Sequence, residues 1–155
     1  MKADTRFFGE IEVGDDKILT FDEGILGFSD MKRWTILFDN SNGEKSSPIS
    51  WFQSLDDPAL ALPVMSPFTV TDDYSPMVED ELLAPLGDFK DEDLLILLAL
   101  SVPAGHPENT TANFKAPLLI NPVNRKGIQI VVNNEDYDIR TNVRDMIEKK
   151  KTSKV

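Results

Sequence analysis

The chain has 155 residues, the usual size of one domain and enough to bury a core of its own, and 41% of them are hydrophobic and 28% charged. It contains no cysteine, which excludes a disulfide framework, a thiolate metal site and a cysteine nucleophile. The formal net charge of -11 disfavours binding to nucleic acid, because an acidic protein repels the phosphate backbone.

The first predicted elements are two strands joined by a turn. Phe7, Ile11 and Val13 share one face and Glu10 and Glu12 the other, which is the period of two typical of a half-buried strand. The run Gly14-Asp15-Asp16 favours a turn. Residues 17–21 are therefore predicted to return as the second strand of a hairpin.

Extended runs and turn signals then alternate. Gly24 and Gly27 lie in a stretch too rich in glycine for a regular element. Residues 34–38 and 49–54 favour strands, and residues 40–43, with the sequence Asn-Ser-Asn-Gly, favour a turn between them.

The middle of the chain predicts an interrupted strand, a short helix and a buried strand. Pro63 lies inside the apolar run 59–65 and predicts an edge strand or a bulge, since proline has no N–H to donate. Residues 79–86 favour a short helix that Pro85 keeps from extending. Residues 94–102 are apolar except for one serine, as expected of a strand covered on both faces.

The C-terminal third predicts a second hairpin and one more strand. Residues 118–121 and 128–132 are extended runs separated by a turn at 124–127, and residues 136–140 favour a last short strand. About nine or ten short strands at this spacing predict a mainly β, small single-domain fold, either β-barrel-like or a sandwich, with one or two short helices.

The charge is unevenly distributed. Residues 144–155 contain five basic and two acidic residues, a net of +3, which leaves -14 for residues 1–143. We therefore predict a single β-barrel-like domain over 1–143 and a basic C-terminal tail over 144–155, whose lysine-rich end is expected to be flexible. Residues 72–93 hold nine acidic residues and one basic residue. Such a surface either meets a basic partner or serves solubility alone.

The sequence gives no sign of export or of membrane insertion. Residues 1–6 are polar and charged, without the apolar stretch of a signal peptide. The longest apolar run, residues 94–100, is much shorter than the roughly 20 residues needed to cross a bilayer. A cytoplasmic protein without membrane contact is expected.

No motif for catalysis or for a cofactor is present, so we expect a protein that is not an enzyme and holds no cofactor. The single histidine, His106, lies in a predicted loop, and neither a nucleophile elbow nor a phosphate-binding glycine loop occurs. The many carboxylates leave a metal-dependent hydrolase open as an alternative. A small-ligand-binding β-barrel is another, which a filled interior would exclude.

Polar residues inside apolar segments have two explanations. Gln53 and Asn113 either bond to backbone groups at a strand end or bulge, or belong to a binding surface, because a buried amide without partners costs about 1–3 kcal/mol.

Three segments resemble the signatures of the flagellar assembly factor (FliW) family. They are Phe-Asp-Glu-Gly-Ile-Leu-Gly-Phe at 21–28, Pro-Ile-Ser-Trp-Phe-Gln-Ser-Leu-Asp-Asp-Pro at 48–58 and Asn-Phe-Lys-Ala-Pro-Leu-Leu-Ile-Asn at 113–121. Gln129, Tyr137 and Arg140 continue the pattern, so the resemblance covers roughly residues 7–140. Leu26 stands where proline is usual in the first segment.

The resemblance implies a small β-barrel-like protein that binds newly made flagellin and, alternatively, the RNA-binding translational regulator CsrA. Bound CsrA cannot repress flagellin translation, and flagellin that accumulates releases it. The protein would thus act as a switch between two protein complexes.

Candidate partner-binding residues follow from this resemblance. For flagellin they are loop residues that line an apolar groove, unless they are ordinary core: Ile25, Phe28, Pro117 and Ile120. Asn113 of the third segment is a further partner-binding candidate, with no particular partner assigned to it. For CsrA they are the acids Asp72, Asp73, Glu79, Asp80 and Glu81.

Overall fold

The computed structural model describes residues 1–6, 8–38 and 49–153. The strands are β1 (Lys2–Thr5), β2 (Gly9–Glu12), β3 (Leu19–Thr20), β4 (Arg33–Phe38), β5 (Ile49–Ser54), β6 (Ala61–Met65), β7 (Leu95–Ser101), β8 (Thr111–Ala112), β9 (Leu118–Asn121), β10 (Lys126–Gln129) and β11 (Thr141–Asn142). The helices are α1 (Val143–Ser153) and the 3-10 turns Asp15–Lys17, Pro67–Thr69, Asp80–Leu86, Asp91–Asp93 and Pro107–Asn109. The predictions for Phe7 and for the turn at 40–43 lie outside the described residues.

Seven strands close into a barrel. Their order around the ring is β7, β6, β5, β4, β3, β10 and β9, and β9 returns to pair with β7. Neighbouring strands are antiparallel except β3 and β10, which are parallel and pair at Lys126 and Thr20. The prediction of a mainly β, single-domain fold is confirmed. Of the two architectures that the sequence left open, the closed ring of strands is a barrel and not a sandwich.

Side chains fill the barrel interior. Trp34 and Phe52 are fully buried and stack with ring centroids 4.6 Å apart, and Phe21 meets Phe52 edge-on at 5.4 Å. Leu118 and Ile120 of β9 belong to the same cluster. A barrel of this strand number has an interior just wide enough for side chains. The filled interior leaves no room for a small ligand, so that alternative loses its support.

A second core lies outside the barrel wall. Leu97 of β7 belongs to the interior cluster, whereas Leu98 and Leu100 pack in a second cluster with Phe114 and with Val143 of α1. Successive side chains of a strand point to opposite faces. The prediction that this strand is covered on both faces is confirmed.

The prediction that residues 17–21 return to pair with the first predicted strand is wrong. Glu10 and Glu12 are exposed and Val13 is buried, as the alternation predicted. However, β2 pairs with β1, while β3 pairs with β4 and β10. The short polar strand β1 has a weak pattern, because only Ala3 and Thr5 alternate inward. The 3-10 turn Asp15–Lys17 instead carries the chain away to the barrel.

The predicted pairing of the second hairpin is confirmed, since β9 and β10 pair antiparallel over four residues. The bounds of its second strand are wrong, because that strand is Lys126–Gln129 and not 128–132. Arg125 N donates to the backbone oxygen of Asn121, so the turn closes earlier than predicted. The last short strand at 136–140 is wrong. The described chain has no strand there, and β11 follows at Thr141–Asn142, paired with β8. The backbone oxygen of Asp138 instead accepts hydrogen bonds from Phe114 N and Lys115 N, which holds the segment without a strand ladder.

The middle segment contains the predicted short helix, but β6 is not the predicted edge strand, because it pairs with both β5 and β7. The short helix is the 3-10 turn Asp80–Leu86, which contains Pro85. Pro63 lies opposite Trp51 of β5 and just before Val64, the first residue of β6 that pairs with β7. The proline therefore lies where β6 has no second partner, as the missing N–H requires.

The predicted boundary at residue 144 falls inside α1, because the segment continues as a helix from Val143 to Ser153. Met146 and Ile147 of this helix pack against the second core, so apolar contacts support its regular structure. The division into a domain and a flexible tail stays a prediction.

None of the helices within the described residues has the length and apolar character required to cross a bilayer.

Candidate functional site

The five acidic candidates are all exposed, but they lie in two sets. Asp72 and Asp73 lie near α1, where Lys150 Nζ is 3.1 Å from Asp72 Oδ1. Lys150 also donates to the backbone oxygen of Phe68 at 3.0 Å, and the Thr71 hydroxyl donates to Asp73 Oδ1. The basic helix α1 thus already contacts the first acidic set.

The second acidic set is Glu79, Asp80 and Glu81, at the start of the 3-10 turn Asp80–Leu86. Behind this turn, Asn121 Nδ2 donates to the backbone oxygens of Leu86 at 2.8 Å and Asp88 at 3.1 Å. Asn121 is buried at the end of β9, so the barrel itself fixes the turn that carries the acids.

The segment between the two sets, residues 74–78, is held against the second core and Asn134. The buried Tyr74 donates its hydroxyl proton to the backbone oxygen of Phe114 at 2.8 Å, and burial raises the pKa of Tyr74. Asn134 Oδ1 accepts from Met77 N at 2.6 Å, and its Nδ2 donates to the backbone oxygen of Ser75 at 2.9 Å. The acidic surface is therefore carried on a fixed backbone.

The four apolar candidates do not line an open groove together. Ile25 and Ile120 are 5% and 1% exposed and belong to the barrel interior, and Pro117 is buried. Phe28 is 37% exposed. Only Phe28 of these four offers substantial apolar surface to a partner, and whether any of them binds one stays a prediction.

The loop that carries Phe28, residues 24–29, is a braced turn. Phe28 N donates to the backbone oxygen of Ile25 at 2.8 Å, and Ile25 N donates back at 3.3 Å. Gly24 has a φ of +67°, and a Cβ there would lie 2.5 Å from the backbone oxygens of Phe28 and Ser29. The turn is thus closed by backbone contacts that require glycine.

Gln129 ties this loop to β10. Its Oε1 accepts from Leu26 N at 2.8 Å, and its Nε2 donates to the backbone oxygen of Ala116 at 2.9 Å. The 24–29 loop overlaps the first of the segments that resemble the family, Ala116 lies in the third, and Gln129 continues the pattern. The structure brings these three parts of the chain together.

A groove of about 400 Å³ lies between the 24–29 loop and the 3-10 turn Asp80–Leu86. Leu26 and Leu82, which are 53% and 45% exposed, line it from its two sides. Exposed Glu23 and Glu81 line it as well. The structure thus joins the loop and one of the acids, which the sequence treats as separate sites. We call this feature the loop groove.

The structure assigns structural contacts to the two polar candidates. Asn113 Oδ1 accepts from Lys115 N at 3.1 Å and Ala116 N at 2.9 Å, which closes the turn before β9. Gln53 is fully buried, and its Nε2 donates to the backbone oxygens of Ser54, Pro58 and Leu60. Both side chains bond to backbone groups, as one of the two explanations requires.

One carboxylate with a shifted pKa, Asp56, follows β5, contacts the start of β4 and does not line the loop groove. Partial burial would raise the pKa of Asp56, but hydrogen bonds from Arg33 and from Lys32 N outweigh it and hold the pKa below its usual range. Arg33 Nε lies 2.8 Å from Asp56 Oδ1. The pair joins β4 to the segment after β5.

The other groups that the sequence singled out for catalysis or metal binding are His106 and the carboxylates. His106 lies at the surface, with Nδ1 3.2 Å from Glu108 Oε1 and 66% of its side chain exposed. Over the described ranges, no three carboxylate, histidine or cysteine side chains converge in a way that could hold a metal ion.

Sequence reasoning missed Leu82 and Asn134. Leu82 is an apolar residue inside the acidic stretch, and that contrast is the signal that would have marked it as part of the loop groove. No local pattern indicated Asn134, because its partners Ser75 and Met77 lie almost 60 residues earlier in the chain.

Comparisons with known proteins agree with this fold and these segments. The sequence matches a family model described as FliW protein over residues 2–143. A flagellar assembly factor FliW of Lachnoclostridium phytofermentans is 52% identical over 136 residues, covering 88% of this chain and 86% of that protein. One from Lachnospira eligens is 45% identical over 150 residues, covering 96% and 98%.

A solved structure is similar as well. The crystal structure of the flagellar assembly factor FliW superposes with a TM-score of 0.81 at 29% sequence identity, covering 92% of this chain and 96% of that one.

Proposed function

Because the chain belongs to the FliW family of flagellar assembly factors, we propose that it is a cytoplasmic, non-catalytic protein that binds flagellin and, alternatively, the translational regulator CsrA. Bound CsrA is kept from repressing flagellin translation, and flagellin that accumulates displaces it. The outcome depends on the relative affinities and concentrations of the two partners.

The observation that carries the proposal is the loop groove with its neighbouring acids. It places exposed apolar side chains, Leu26 and Leu82, beside exposed Glu23 and Glu81 on a backbone that Gln129 and Asn121 hold in place. A rigid apolar surface flanked by charges of a single sign suits protein recognition. It supplies contact area and electrostatic steering, and little conformational entropy is lost when the partner binds.

The acidic body supports CsrA as one partner. A regulator that binds RNA carries basic surface, and residues 1–143 have a net charge of -14. We expect the affinity for CsrA to fall roughly tenfold as the salt concentration rises from about 50 to 300 mM, because salt screens exposed charges. Titration calorimetry at the two ionic strengths measures this effect.

The two acidic sets allow a sharper form of this experiment. The triple reversal Glu79→Lys, Asp80→Lys and Glu81→Lys should weaken CsrA binding more than the double reversal Asp72→Lys and Asp73→Lys, because Lys150 already contacts Asp72. Reversal of the exposed Glu10, Glu12 and Asp15 is the control with the same change in net charge. Equal losses in all variants, or binding that ignores salt, contradict a local acidic site.

Flagellin binding is expected to use apolar contact, because the ends of flagellin are amphipathic helices that expose apolar faces before assembly. Phe28→Ala should weaken flagellin capture roughly tenfold, since exposed aromatic side chains often dominate an interface. The backbone bonds between Phe28 and Ile25 do not need the ring, so the melting temperature should change by less than about 3 °C. Pull-down and thermal unfolding measure the two quantities.

Phe68→Ala is the matched control for this experiment. Phe68 is 47% exposed, lies beside Tyr74 and does not line the loop groove. Full flagellin binding by a folded Phe28→Ala variant, or an equal loss in both variants, counts against a role for Phe28.

A further inference from the structure

The barrel seam between β3 and β10 is short. The two strands pair only at Lys126 and Thr20, because β3 ends at Thr20. On its other edge β10 pairs with β9 over all four residues, from Lys126 to Gln129. Beyond Lys126, no strand of the described ranges pairs with the seam edge of β10.

Register shows which backbone groups face this edge. Thr20 N donates to the backbone oxygen of Arg125 at 2.9 Å, so Arg125 faces β3. Alternate residues of a strand present their backbone groups to the same edge. Gly127 and Gln129 therefore face the seam side, where the loop groove begins, and both residues line that groove.

The walls of the loop groove favour an apolar and basic occupant. Leu26 and Leu82 supply apolar surface, and exposed Glu23 and Glu81 supply negative charge. Lys126, at the start of the edge, is 3.3 Å from Asp22 Oδ1, so a carboxylate already lies beside its positive charge. The bond between Gln129 and Leu26 N fixes the loop wall beside β10, which lowers the ordering cost of binding.

We propose that the loop groove binds an extended peptide segment of a partner protein, with apolar residues alternating with lysine or arginine, which adds as a strand to the seam edge of β10. Main-chain bonds to Gln129 and to the backbone oxygen of Gly127 hold the segment, because the N–H of Gly127 belongs to the parallel pair with Thr20. Its apolar side chains pack on Leu26 and Leu82, and its basic ones face Glu23 and Glu81. This goes beyond the proposed function, since it does not depend on which protein carries the segment.

A capped seven-residue peptide of alternating lysine and valine is the direct probe. Its binding to the full chain is measured by fluorescence anisotropy and located by amide chemical-shift changes, which we expect at residues 127–130. The same peptide with its inward-facing amides N-methylated keeps every side chain but loses its main-chain donors. It should bind roughly tenfold weaker, the effect of losing two hydrogen bonds. A glutamate and valine peptide should not bind.

Leu82→Ser tests the apolar wall and should weaken binding of the lysine and valine peptide roughly fivefold, the effect of losing about half of the burial of one leucine side chain, since Leu82 is already half-buried in the free protein. Ile139→Ser is the control, an equally large apolar residue that is 64% exposed and does not line the groove. Each of three results overturns the proposal. The lysine and valine peptide does not bind, its N-methylated form binds as tightly as the unmodified peptide, or Leu82→Ser and Ile139→Ser lose the same amount of affinity. Peptide binding without capture of flagellin or CsrA leaves it standing and counts against the proposed function alone.

Discussion

The Trp34→Ala variant should lose about 3–5 kcal/mol of unfolding free energy, a large part of the roughly 5–15 kcal/mol that a natural protein has. Trp34 is fully buried in the barrel interior and stacks on Phe52 at 4.6 Å. Its Nε1 donates to the backbone oxygen of Met31 at 2.7 Å. Alanine leaves a cavity inside a closed ring of strands that cannot collapse freely.

Chemical denaturation followed by circular dichroism measures this loss. Trp51→Ala is the matched control, because Trp51 is the other tryptophan of the chain and is only half-buried, with an edge contact to Phe8 at 5.8 Å. We expect a loss at least twofold smaller there. Trp34→Phe, which keeps an aromatic ring but loses the bond to Met31, should fall between the two. Equal losses for Trp34→Ala and Trp51→Ala contradict the interior placement of Trp34.

Gly127→Ala should also destabilise the barrel strongly, by about 1–3 kcal/mol or more. A Cβ at residue 127 would lie 2.3 Å from Phe21 Cζ and 2.4 Å from Phe21 Cε1. Phe21 is fully buried against Phe52, so its ring has no free space into which it can move. The added methyl therefore forces β10 away from the seam with β3.

Gly14→Ala is the control for this substitution. Gly14 has a φ of -66°, and a Cβ there meets only the end of the Asp16 side chain, which can turn into solvent. We expect little change in its denaturation midpoint. Combining Gly127→Ala with Phe21→Leu should cost less than the sum of the two single losses, because the smaller side chain makes room for the methyl. Strict additivity in this double-mutant cycle would contradict the contact.

Strands with a clear local pattern were predictable. The segments that form β4, β5 and β7 are long and rich in β-branched or apolar residues. Their extended conformation is therefore determined by the local sequence, which is why it was predictable. The partner of β2 was not predictable in this way, because β1 is four residues long and mostly polar. The segment 136–140 has strand-like residues but bonds through Asp138 to residues 114 and 115 instead.

The sequence by itself determined the class of fold, the acidic character and the three segments that resemble a known family. These properties are carried by composition and by short-range patterns. Only the tertiary structure decided which candidates face a partner, because burial depends on how the ring closes. The return of β9 to β7 buries Ile120 and Pro117, while Phe28 and Leu26 stay exposed. The same closure places Glu81 and Leu82 opposite the 24–29 loop, about 55 residues away in sequence, and so creates a groove that no local pattern contains.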